Sequence, residues 1–142
     1  KASKLAIGHN LDDEAQSIIM NQFRHNVALS ARLGPKTSVR KDPKFIPRIK
    51  PLYFLTENEV ELYATLKEFK MDEDKYKKLS YRYKIGTLLN NLEEKYPGTK
   101  HAIVASFLEI LPLLKEKYKN QKIDRCNKCG EPSSSDVCSV CK

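Results

Sequence analysis

The sequence predicts an α/β fold that is mostly helical, closed at its C-terminal end by a small metal-binding module. Three observations carry this. An apolar run, Lys4-Leu5-Ala6-Ile7, stands directly before a helical repeat; three further stretches repeat apolar residues at spacings of three and four; and all four cysteines fall within the last 17 residues.

A chain of 142 residues with 40% hydrophobic content suits one domain with a small appendage. No apolar run approaches the roughly 20 residues needed to cross a bilayer, and no signal-peptide pattern opens the chain. A soluble, cytoplasmic protein is therefore expected. The sequence begins Lys-Ala-Ser-Lys, without methionine, and an apolar segment follows at once, which suggests a piece of a longer protein. The formal charge of +8 favours a polyanion as partner.

Residues 4 to 7 read as a short buried strand. From Leu11 the pattern turns helical, with Leu11, Ala15, Ile18, Ile19, Gln22 and Phe23 on one stripe. Asp12, Asp13 and Glu14 fall in the first turn, where negative charge complements the helix dipole. Asn10 suits the N-cap, its side-chain oxygen accepting an otherwise orphan backbone N–H. The stretch "GHNLDDEAQ" thus has two readings, a well-capped helix or part of a reaction centre.

After Val27 the periodicity fades. "RLGPKTSVRKDPKFIPR" holds three prolines and many basic residues and reads as a loop. "FIPRIKPLYFL" is apolar and β-prone, but Pro47 and Pro51 restrict any strand to a short or edge position. "LTENEVELYATLKEF" predicts a helix with a Thr56–Glu59 capping box and a stripe of Val60, Tyr63, Leu66 and the Lys67 stem. A second long helix is expected from Tyr76 to Tyr96, stopped by Pro97-Gly98. A third is expected from about Lys100 to Tyr118, with Ile103, Val104, Phe107, Leu108, Ile110 and Leu111 as its apolar residues, kinked or divided at Pro112. There is no internal repeat.

"CNKCGEPSSSDVCSVC" contains two Cys-x-x-Cys pairs separated by eight residues: Cys126, Cys129, Cys138 and Cys141. Each pair forms a knuckle that aims two thiolates at one point, and Gly130 permits the tight turn after the first. Four thiolates in tetrahedral array suit a structural Zn²⁺. Redox-active or disulfide-linked pairs and an Fe–S centre are the competing readings. So short a segment has too little core to fold alone, so the metal would supply its folding free energy.

"KEFKMDEDKYKKLSYRYK" interleaves Lys75, Lys77, Lys78, Arg82 and Lys84 with Tyr76, Tyr81 and Tyr83. Lysines neutralise phosphates and release counterions, whereas Tyr76 and Tyr83 share a helix face with Leu79 and are expected in the core. Lys36, Arg40, Lys41, Lys44, Arg48 and Lys50 form a second candidate basic surface. A solvated helix face and a basic loop are the plain alternatives.

Taken together, "LAIGHNLDDEAQSIIMN", "RIKPLYFLTENEVELYA", "LEEKYPGTKHAIV" and "CNKCGEPSSSDVCSVC" resemble, in the same order, the tRNA 2-thiolation enzymes. These are ATP-dependent sulfurtransferases of the PP-loop ATP pyrophosphatase superfamily, related to the eukaryotic cytoplasmic wobble-uridine thiolases. The resemblance implies that the chain is the C-terminal half of such an enzyme. The family's Ser-Gly-Gly-x-Asp-Ser phosphate loop and mid-chain Cys-x-x-Cys pair would lie upstream, so the fragment would be inactive alone. Residues 1–55 would then complete the PP-loop domain with its parallel sheet, residues 56–122 would form a helical tRNA-facing region, and residues 123–142 a zinc module.

The same resemblance assigns the opening cluster to an ATP and Mg²⁺ pocket, which agrees with the rule that open α/β sheets bind ligands at strand carboxyl ends. Asp12 would be catalytic during adenylation of a uridine carbonyl oxygen, which sulfur then replaces. Ile7 and Gly8 would offer backbone to the nucleotide, His9 and Asn10 would brace the turn, and Asp13 and Glu14 would be helix-start charges with a Mg²⁺ role. Asp74 stands where family members carry a cysteine that joins an Fe–S cluster, a departure that puts such a cluster in doubt here. Implied partners are tRNA, a sulfur donor (a ubiquitin-like protein thiocarboxylate, a persulfide or sulfide) and a second copy in a homodimer. The alternatives are a non-catalytic zinc-containing RNA-binding module, or a PP-loop paralogue with a different substrate.

Overall fold

The computed structural model describes residues 2–37, 46–70, 80–119, 125–131, 133 and 136–142. Three two-residue strands and five helices follow in the order β1 (Leu5–Ala6), α1 (Leu11–Phe23), α2 (Val27–Ser30), β2 (Lys36–Thr37), β3 (Arg48–Ile49), α3 (Glu57–Leu66), α4 (Tyr81–Lys95) and α5 (Thr99–Tyr118). The sheet is mixed, in the order β1-β3-β2. Leu5 and Ala6 pair in parallel with Arg48 and Ile49, whose other edge takes Lys36 and Thr37 antiparallel.

Helix α1 is the hub, packed on α2, α4 and α5. Its capping box is reciprocal: the Asp13 N–H donates to Asn10 Oδ1 at 3.0 Å, and the Asn10 N–H donates to Asp13 Oδ2 at 3.3 Å. Leu11, Ala15 and Ile18 join Tyr53, Ile85, Leu89, Val104, Phe107 and Leu111 in one buried cluster. That single core draws on residues from both sides of position 55.

Glu14 fixes α1 to the segments around it. Its carboxylate is buried and accepts from Lys50 Nζ at 2.5 Å, the Gly34 N–H at 2.7 Å and the Tyr53 hydroxyl at 3.2 Å. Gly34 is required on two counts. Its φ is +108°, and a Cβ there would stand 2.8 Å from Leu111 Cδ2. Burial, followed by the Glu14 charge and hydrogen bond, pushes the Tyr53 hydroxyl well above its ordinary pKa.

Several expectations change. Glu14 turns into the core, so its carboxylate is committed to structural partners rather than to a metal. Residues 5 and 6 are exposed, not buried; among the described residues β1 is an edge strand that pairs with β3. A strand, β2, lies within the expected loop, where the Lys50 N–H reaches Pro35 O at 2.9 Å. The α1 stripe is buried only over its first two turns; Phe23 is 64% exposed. Helix α3 keeps its capping box, yet none of its residues is buried; from its apolar stripe Tyr63 meets the Phe69 ring edge-on, with centroids 6.3 Å apart.

Helix α4 starts at Tyr81, because Ser80 is extended and its hydroxyl accepts the Tyr83 N–H at 3.1 Å. The expected start at Tyr76 lies outside the described residues. Tyr81, not Tyr83, packs against the core, under the Arg24 guanidinium. Helix α5 is not divided at Pro112: Leu111 before it and Leu114 after it pack on the same core and hold the helix across the missing donor.

Candidate active site and metal centre

The Leu5 and Ile7 N–H groups donate to Pro47 O and Ile49 O, at 3.0 and 2.9 Å, which fixes the direction of β1. The chain leaves the sheet through Ile7, half-buried, and the exposed Gly8 and His9. Gly8 has open space around it: a Cβ there would meet nothing within 4 Å. The Leu11 N–H then donates to Leu55 O at 2.8 Å, setting the start of α1 beside that of α3.

Asp12 lies where three helix starts meet. It belongs to the first turn of α1. Its Oδ2 accepts the Glu57 N–H, the first residue of α3, at 2.7 Å. Its Oδ1 accepts the ammonium of Lys100, from the first turn of α5. Unpaired N–H groups give each helix start a partial positive charge, so this is the position on α1 where a buried carboxylate is most favourably placed.

Asp13 and Arg82 flank it. Arg82 Nη1 lies 3.4 Å from Asp13 O, Asp13 Oδ1 and Gln16 Oε1, and Nη2 lies 3.0 Å from Ser17 Oγ. The guanidinium expected on an RNA-facing surface is thus turned onto α1. Lys50 is likewise withdrawn from the expected basic surface by its ion pair with Glu14. Arg40, Lys41, Lys44, Asp74, Lys75, Tyr76, Lys77 and Lys78 lie outside the described residues.

Of the residues singled out in the sequence, Asn10, Asp12 and Asp13 are brought together, and Ile7, Gly8 and His9 line the approach to them. Lys100 was missed. It lies 88 positions from Asp12, and only the Pro97-Gly98 turn hinted that a helix start would present it. Gly98, at φ +91°, offers no side-chain cap. Glu93 substitutes, accepting the Gly98 N–H at 2.7 Å and the Lys100 N–H at 2.8 Å. Burial pushes the Glu93 carboxyl up, but those two N–H groups outweigh it and hold it below the usual range.

The four cysteines meet at the other end of the chain, their Sγ atoms all within 4.8 Å of one another. The first knuckle is closed by the Gly130 N–H donating to Cys126 O at 2.8 Å, with Gly130 at φ +70°. The second is closed by the Cys141 N–H donating to Cys138 O at 3.0 Å. They are joined by the Cys138 N–H, which donates to Cys126 Sγ at 3.3 Å. That bond, with one from Cys129, lowers the Cys126 thiol to about 6, whereas hydrogen bonds with Cys129 and Cys138 push Cys141 up to about 12. The cluster can bind a metal ion, whose charge would allow all four sulfurs to be thiolates at once.

These features define a small, mostly helical α/β protein with a four-thiol metal-binding module. Over nearly its whole length the chain is similar to proteins named for tRNA 2-thiolation and for uridine 2-sulfur transfer. It is 38% identical over 151 residues to tRNA 2-thiolation protein NcsA of Haloferax volcanii, matching 99% of this chain and 47% of that protein. It is 39% identical over 140 residues to a tRNA-5-methyluridine(54) 2-sulfurtransferase of Pyrococcus horikoshii, matching 97% of this chain and 44% of that one. Among solved structures, the U34-tRNA thiolase NcsA from Methanococcus maripaludis, with its [4Fe-4S] cluster, superposes with a TM-score of 0.69 at 36% identity, covering 99% of this chain and 44% of that one. No family model matches. The chain spans under half the length of these relatives, and no helix among its described residues is long and apolar enough to cross a membrane.

Proposed function

We propose that this chain is the C-terminal part of an ATP-dependent tRNA-uridine 2-sulfurtransferase, with residues 1–55 completing a PP-loop nucleotide-binding domain. The observation that carries the reading is the near-complete match to relatives about twice as long, each named for tRNA thiolation. Residues 56–122 are the tRNA-facing region and residues 123–142 the metal module, a functional division that shares one hydrophobic core across position 55. Relatives named cytoplasmic tRNA 2-thiolation protein 1 support a cytoplasmic location.

In this reading Asp12 is the active-site carboxylate. ATP with Mg²⁺ supplies the activating phosphoryl chemistry when bound. This chain's part is to present an open strand end at Ile7, Gly8 and His9, to hold the capped start of α1 with Asn10 and Asp13, and to keep Asp12 oriented. The open space at Gly8 fits close approach by a bound group, since no neighbour among the described residues requires glycine there.

The metal is a structural Zn²⁺. Zinc–sulfur bonds of about 2.3 Å imply sulfurs about 3.8 Å apart in a tetrahedron. Cys129 and Cys138 have that separation, 3.8 Å. A four-iron cube, interposed between its thiolates, needs them spread further. All four cysteines of the chain lie in this module, so any Fe–S cluster would take its thiolates from outside the chain, with Asp74 in place of the family cysteine. The substrate is tRNA, and the sulfur comes from a protein thiocarboxylate, a persulfide or sulfide, in an enzyme that pairs as a homodimer.

The test is the complete polypeptide with Asp12→Ala, assayed for 2-thiouridine and for tRNA binding. Thiolation should vanish while tRNA binding stays within about twofold of wild type, as expected for a group acting only on the reacting atoms. Retained thiolation rules out the assignment of Asp12.

A further inference from the structure

The geometry points to Lys100 as a positioning residue that acts through Asp12. This deepens the proposed function and rests on the reading of Asp12 as the active-site carboxylate.

Asp12 and Lys100 form a buried ion pair, with side chains 4% and 11% exposed. Most of the described lysines stand in solvent. This one is drawn inward, although a lysine is costly to desolvate unless paired. The Asp12 carboxylate is held at both oxygens by groups from different helices, the Glu57 N–H of α3 on Oδ2 and the Lys100 ammonium on Oδ1. Two fixed donors on opposite oxygens leave the carboxylate little freedom to rotate.

Lys100 is itself positioned. Its N–H is tied to Glu93 Oε2, and Glu93 Oε1 holds the Gly98 N–H of the turn that opens α5. A polar chain therefore runs from the end of α4, through the start of α5, to Asp12 on α1 and on to the start of α3. Gly98 cannot cap α5, so Glu93 both caps the helix and sets the root of the Lys100 side chain. Without Lys100 the carboxylate would be a buried charge with one oxygen unpaired and free to turn. Turning removes it from the orientation that the reaction needs.

A simple staple would also show a buried ion pair, so the test separates stability from turnover. The complete enzyme carrying Lys100→Met, Lys100→Arg, Asp12→Asn or both Asp12→Asn and Lys100→Met is assayed for thiolation with tRNA, ATP and inorganic sulfide. Assays run at a temperature where circular dichroism shows every variant fully folded. Lys100→Met should lower kcat between about 10-fold and 100-fold, with KM for tRNA and ATP within twofold. Lys100→Arg should recover part of kcat. The double variant should be no slower than Asp12→Asn alone, because Lys100 acts only through Asp12. Full kcat for folded Lys100→Met, or a further loss in the double variant, overturns the inference while leaving Asp12 in place. Full activity for Asp12→Asn instead overturns the reading on which the inference rests.

Discussion

Lys50 Nζ lies 2.5 Å from Glu14 Oε2, with the two side chains 5% and 1% exposed. This pair joins the end of the first turn of α1 to the residue that follows β3. The Gly34 N–H and the Tyr53 hydroxyl share the other carboxylate oxygen. Removing one partner of such a pair leaves the other charged and buried, which costs about 3–5 kcal/mol. Lys50→Met should lose that much stability in urea unfolding. Glu14→Leu with Lys50→Met should recover most of it, and a single variant within about 0.5 kcal/mol of wild type would show the pair to be idle.

Gly34→Ala combines a positive φ with a Cβ 2.8 Å from Leu111 Cδ2. The expected cost is about 1–3 kcal/mol. It should shift the urea midpoint without changing the slope. An unshifted midpoint would mean that the loop relaxes away from α5.

Gly8→Ala makes the opposite prediction. Nothing within 4 Å of the added Cβ opposes it, and Gly8 is not among the residues with positive φ. Stability should stay within about 0.5 kcal/mol. In the complete polypeptide ATP binding should weaken, measured by calorimetry. Unchanged ATP affinity would place the nucleotide away from this strand end.

The cysteine module should hold about one Zn²⁺ per chain by elemental analysis. Binding displaces protons from thiols such as Cys141, pushed up to about 12, so affinity should fall as pH is lowered from about 8 to about 6. A competition titration with a chromophoric chelator measures this. Cys129→Ser should weaken binding, and a pH-independent affinity would contradict thiolate ligation.

Acid should destabilise the helix starts of α3 and α5. Glu59 is lowered from 4.5 by the Thr56 N–H and then its hydroxyl, and Glu93 is lowered because the Lys100 and Gly98 N–H groups outweigh its burial. With folded pKa values below the unfolded ones, the unfolded chain takes up more protons in acid. Their contribution is complete above the unfolded value and is lost as pH falls through the folded one. Glu59→Gln and Glu93→Gln should each flatten the decline in melting temperature below about pH 4.5; parallel curves for variant and wild type would refute the linkage.

Local signals in the sequence were sufficient for the Asn10 N-cap, the Thr56–Glu59 capping box and the two cysteine knuckles, though not for the Asp13 half of the first box or for α2. The Asn10–Asp13 and Thr56–Glu59 capping boxes span three residues, and each knuckle of the cysteine module is closed by contacts within four or five. The N-cap at Ser80, whose hydroxyl accepts the Tyr83 N–H, was not anticipated, because a cap inside an expected helix leaves no break in the apolar periodicity. Proline at 112 does not divide α5, since the cost of one missing donor is local and the packing that offsets it is not.

Sequence alone pointed to helices α1, α3, α4 and α5, to the Asn10 and Thr56 caps and to the grouping of four cysteines, because periodicity, capping and thiol spacing are written between residues close in the chain. Only the tertiary structure decided which charges are buried and paired. Among three adjacent acids, Asp12 meets Lys100, Asp13 meets Arg82 and Glu14 meets Lys50. Consecutive helix positions point about 100° apart, so each acid faces a different part of the fold, and its partner is set by how helices distant in the chain pack.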